Sequence, residues 1–76
     1  MANFLSEMQS QLSHEFPGWR IAFMGEPSQQ RQMGLYDKTH KLRVSVPFPE
    51  NEQQRGENVY RALFAVLLER ARILAA

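Results

Sequence analysis

Seventy-six residues with nine basic and eight acidic side chains, two histidines and no cysteine set the outer bounds. A chain this short holds one domain, 1–76, and hides only a modest share of its surface. The near-even charge argues against a strongly basic nucleic-acid binder and against an acidic mimic of DNA, and the lack of cysteine removes thiol catalysis, thiolate metal sites and disulfide staples.

The first element is a helix. Phe4, Leu5, Met8, Leu12 and Phe16 recur at helical spacing within an arc of roughly 120°, with Asn3 as its N-cap. Pro17-Gly18 stops it. Trp19 to Met24 then alternates with period two, placing Trp19, Ile21 and Phe23 on one face and Arg20, Ala22 and Met24 on the other. Gly25-Glu26-Pro27-Ser28 is turn chemistry. The second half of Gln29 to Tyr36, with Met33, Leu35 and Tyr36, reads as a middle strand, and Asp37-Lys38-Thr39-His40 as a hairpin turn. Lys41 to Phe48 alternates again: Leu42, Val44, Val46 and Phe48 face inward, and Lys41, Arg43 and Ser45 outward. Pro47 and Pro49 close that strand, and Pro47 marks an edge or an end.

Asn51 with Gln54 matches a capping box, and Glu50 and Glu52 suit the positive end of a helix dipole. A terminal helix from there to Ala76 would run through Gly56, whose missing side chain would permit close approach to the sheet. The expected fold is α+β: a small antiparallel sheet of two to three strands packed on two helices, ordered α-β-β-β-α. If the middle strand fails, the order becomes α-β-β-α.

The terminal helix carries an excess of apolar side chains. Tyr60, Leu63, Phe64, Leu67, Ala71 and Leu74 form one stripe. Val59, Val66 and Ile73 form a second, with Leu68 at the far edge. Together they cover roughly 240°, whereas one core-facing stripe needs a little over about 100°. Such a helix has one side for its own core and one for another chain. Leu63, Val66, Leu67, Arg70, Ile73 and Leu74 are the expected protein-contact residues, with Arg70 able to pair with a carboxylate.

Arg20, Tyr36, Lys41 and Arg43 are expected together on the open face of the sheet as a second surface. The bland account is a solvated face whose basic groups discourage stray strand pairing. The sharper one is contact with an acidic protein or a phosphate backbone.

No chemistry-bearing constellation emerges. Ser10 and His14 can meet across one helical turn, but no third residue orients the imidazole and no oxyanion loop accompanies them. Glu7 and His14 are two candidate ligands without a third. No Gly-rich phosphate loop occurs. Neither an enzyme nor a cofactor or metal is expected. Met1 to Glu7 lacks the pattern of a signal peptide, and Arg61, Glu69, Arg70 and Arg72 interrupt the best candidate for a membrane span. No membrane association is expected, and the cytoplasm is the default location.

The element order resembles that of double-stranded-RNA-binding domains, which place a lysine cluster where this chain has Glu50-Asn51-Glu52-Gln53-Gln54. Phe16-Pro17 ahead of a strand also resembles small damage-inducible modulators of recombinase filaments, which carry an extra leading strand and an acidic last helix. Both likenesses are topological and transfer no residue. The expected function is a non-enzymatic protein-binding module: a small regulator or inhibitor of the kind phages and mobile elements encode. It would act as a homodimer and on a larger protein. The alternative is a nucleic-acid-binding domain that uses the basic open face of the sheet.

Overall fold

Helix α1 spans Phe4–Glu15 and turns Met8 and Leu12 inward. It ends where the sequence demands. Phe16 N–H still reaches the Leu12 carbonyl at 2.6 Å, and Trp19 N–H reaches the Phe16 carbonyl at 3.1 Å. Gly18 then adopts φ +88°, a left-handed conformation that a side chain resists. In this computed structural model, residues 4–25, 31–47 and 56–75 are described. The expected cap at Asn3, turn residues 26–28, the end of the last strand at Phe48 and Pro49, and the helix start at 50–54 lie outside them.

Strands β1 (Arg20–Met24), β2 (Gln32–Tyr36) and β3 (Leu42–Pro47) form an antiparallel meander in the order β1-β2-β3, followed by α2 (Glu57–Ala75). The fold is therefore α+β in the order α-β-β-β-α, and the middle strand is present. Its Met33 and Leu35 are fully buried. Ile21 pairs with Leu35, and Leu35 with Val44; Phe23 pairs with Met33, and Met33 with Val46. Because side chains alternate across a strand, these rows share one face of the sheet. Both helices cover that face, α1 against β1 and α2 against β3 and β2. Met8 and Leu12 from α1, and Phe64, Leu67, Leu68 and Ala71 from α2, complete the core.

The turn between β2 and β3 is organised by Asp37. Its Oδ1 accepts from Thr39 N–H at 2.8 Å, the Thr39 hydroxyl at 2.5 Å and Lys41 N–H at 3.1 Å, and its Oδ2 accepts from Arg43 Nη1 at 3.2 Å. His40 takes φ +63° to close the turn.

Three expectations change. First, Leu35 pairs with Val44 while Tyr36 pairs with Leu42, so Arg43 is an extra residue in the ladder. A bulge of this kind reverses the facing of what precedes it. Leu42 therefore leaves the helix side and packs over Gly34 on the open face, 41% exposed. Second, Gly56 is not inside the helix: its carbonyl accepts from Val59 and Tyr60 N–H, and a Cβ there would meet nothing within 4 Å. It is an entry residue, not a close-approach site. Third, Phe23 keeps its phase but lies at the sheet border, 46% exposed, edge-on to Tyr60 with ring centroids 6.1 Å apart.

Candidate interaction surface

One flank of α2 is consumed inside the molecule. Arg61 pairs with Glu7 at 2.7 Å and with Glu57 at 3.1 Å; Arg72 holds Glu15 through two bonds of 2.5 and 2.8 Å and lies 3.5 Å from Glu69. The pairs with Glu7 and Glu15 join α2 to α1, and those with Glu57 and Glu69 lie within α2. The Arg72 hydrogen bond pulls the Glu15 carboxyl below its usual range, outweighing the upward push of burial, and the same contact raises the Arg72 guanidinium.

The opposite flank is different. Val66, Ile73 and Leu74 stand 43%, 67% and 50% exposed. Leu63 is half-buried and also packs on the core. Leu67, expected at the same surface, is fully buried. Its place on the wheel is nearer Phe64 and Ala71 than Val66, so it points at the sheet and has no surface to offer. Val59, Leu63, Val66, Arg70 and Ile73 instead lie on one line at alternating spacings of four and three residues, the periodicity of a helix-pairing seam. Leu63, Val66, Arg70 and Ile73 of this line belong to the expected contact set, and Val59 to the second apolar stripe read from the sequence.

Arg70 is exposed and reaches sideways, its Nη1 donating to the Ser45 carbonyl of β3 at 3.2 Å. Between it and the strand runs an open groove of about 380 Å³ lined by Arg43, Val44, Ser45, Arg70, Ile73 and Leu74. The bulge puts Arg43 here. Its guanidinium also lies 5.9 Å from the Trp19 ring centroid, and Trp19 in turn packs on Phe16 at 4.8 Å.

The second predicted surface does not assemble as one face. Arg20, Tyr36 and Leu42 align in register, whereas Arg43 has turned to the helix side. The Tyr36 hydroxyl donates to the Met24 sulfur at 3.4 Å, so the open face has an apolar centre of Met24, Tyr36 and Leu42 over Gly34. Lys41 is exposed beside the turn.

Ser10 and His14 both lie exposed on α1, and no cluster of three metal-ligating side chains occurs among the described residues. No described helix is long and apolar enough to cross a membrane. Comparison with protein-family models, with curated proteins and with solved structures finds no match to this chain.

Proposed function

We propose that this chain is a non-enzymatic protein-binding module whose contact surface is the outer flank of α2, and that a second copy is its first partner. The observation that carries it is the exposure of Val66, Ile73 and Leu74 on a helix whose inner face packs on the core and whose arginines Arg61 and Arg72 are ion-paired to α1. Isolated exposed aliphatics are ordinary, but several exposed on one flank of a helix, with an arginine among them, suit a protein contact. An antiparallel approach of two α2 helices keeps the two Arg70 side chains apart and opposes the helix dipoles favourably. A small regulator or inhibitor of a larger complex, as phages and mobile elements carry, is the finer role; it extends the same contact surface to a larger protein.

Sedimentation velocity tests the self-association. At about 0.1 mM, roughly a hundredfold above a micromolar Kd, the wild-type chain is expected as a dimer and Val66→Lys as a folded monomer. A wild-type monomer at that concentration overturns the dimer.

A further inference from the structure

We infer that the groove between the outer edge of β3 and the last turns of α2 receives an extended acidic-aliphatic segment of another protein, added to the sheet as a fourth strand. The inference rests on the α2 flank being a contact surface, and it names a different occupant for the groove side of that flank.

The two edges of the sheet are unlike. On β1, the Gln9 side chain occupies the outer backbone: Nε2 donates to the Trp19 carbonyl and Oε1 accepts from Ile21 N–H, each at 3.0 Å. That amide stands where a neighbouring strand would stand, so β1 is closed to strand addition. On β3 the corresponding contact is a single exposed guanidinium, Arg70 on the Ser45 carbonyl. An exposed side chain on one carbonyl is readily displaced, and Pro47, with no N–H, limits an incoming ladder to the preceding residues. A strand edge beside a helix is the arrangement in which peptides add to sheets, main chain to main chain, with alternate side chains entering the groove.

Charge fixes what those side chains are. Two arginines and no carboxylate line the groove. Arg61 and Arg72 on the same helix each lie within ion-pair distance of two carboxylates, and Arg43 has Asp37. Arg70 forms no ion pair among the described residues. It uses one of five donors on a neutral carbonyl. A carboxylate from outside would complete it bidentately, and Val44, Ile73 and Leu74 would hold the aliphatic neighbours. A second copy is a poor occupant here. Joining two β3 edges would bring two Arg70 side chains together and supply neither with a carboxylate.

Selection from a random peptide library displayed on phage, against the full chain, tests this. Selected peptides are expected to place Asp or Glu two residues from an aliphatic residue, so that both enter the groove. As synthetic peptides, they should shift the Val44 to Val46 amide resonances, and lose all binding when the backbone amide facing β3 is N-methylated. Changing the peptide acid to its amide should weaken binding about tenfold or more in wild type and not at all in Arg70→Gln, whose circular dichroism and urea midpoint confirm folding. Peptides without an acid preference, shifts away from β3, additive effects of the two changes, or no selected peptide would each overturn it. Repeating the titration with Val66→Lys separates the two proposals: binding should persist when self-association is gone. A monomeric wild type that binds the acidic peptide refutes only the dimer, and a dimer that selects nothing refutes only the groove.

Discussion

Gln9 and Ile21 join the first helix to the first strand by a side-chain mimic of strand pairing: the Gln9 Oε1 takes the Ile21 N–H at 3.0 Å while its Nε2 reaches the Trp19 carbonyl at the same distance. Both bonds are partly buried, and removing the amide leaves a backbone donor and acceptor facing a hole. Gln9→Ala is expected to destabilise the chain by about 1–3 kcal/mol, read as a lower urea midpoint. Faster hydrogen exchange at the Ile21 amide should accompany it. An unchanged exchange rate would show that Gln9 does not close this edge.

Leu67 and Val66 are adjacent in sequence and opposite in fate. Leu67→Ala opens a cavity at the centre of the core and should cost about 2–5 kcal/mol. Ile73→Ala, at a site 67% exposed, should shift the stability of the monomer by no more than about 0.5 kcal/mol while weakening self-association. Denaturation at high dilution and sedimentation at high concentration separate the two quantities. Equal losses of stability at both positions would mean that α2 is rotated from the orientation described.

Gly34 is the absent side chain that lets Met24 and Leu42 meet. A Cβ there would lie 2.6 Å from Met24 Cε, 2.7 Å from Leu42 Cδ1 and 3.2 Å from the Val44 carbonyl oxygen. The first two are ends of flexible side chains and can give way; the third is backbone. Gly34→Ala should therefore be mild and Gly34→Val should cost about 1–3 kcal/mol through overpacking. Thermal unfolding of the pair checks the order.

Asp37 makes stability depend on acid. The Thr39 hydroxyl above all, then the Lys41 and Thr39 amides and the Arg43 guanidinium, hold its carboxyl far below the ordinary value of 3.8, against the upward push of burial. A carboxyl lowered on folding binds its proton more tightly in the unfolded chain. Its stabilisation is thus complete above pH about 4 and is lost as pH falls through the folded-state value. Asp37→Asn should be less stable at pH 7 and should show a shallower loss between about pH 4 and 2, with Glu15 supplying a remaining dependence of the same sign. Parallel pH profiles for the two proteins would contradict this role.

The limits of legibility follow from where each signal resides. The period of α1, the stop at Pro17-Gly18 and the strict alternation of β3 are local. They appear in the sequence because each needs only neighbouring residues. The bulge at Arg43 is a relation between two strands, and nothing within Lys41 to Phe48 announces it. One inserted position sent Leu42 to the open face and Arg43 to the groove, dissolving the expected cluster with Arg20 and Tyr36.

Composition and periodicity by themselves determined the two helices, the first and last strands and the apolar excess on α2, since propensity and patterning act along the chain; the middle strand, whose polar first half carries no period, was decided by pairing on both sides. Tertiary structure alone decided which part of that excess stays outside. Burial depends on the rotation of α2 over the sheet, fixed chiefly by Phe64, Leu67, Leu68 and Ala71 entering the core, with the exposed Arg61–Glu7 and Arg72–Glu15 pairs consistent with it. The same long-range packing left Arg70 beside a strand edge with a carbonyl for company and no carboxylate among the described residues.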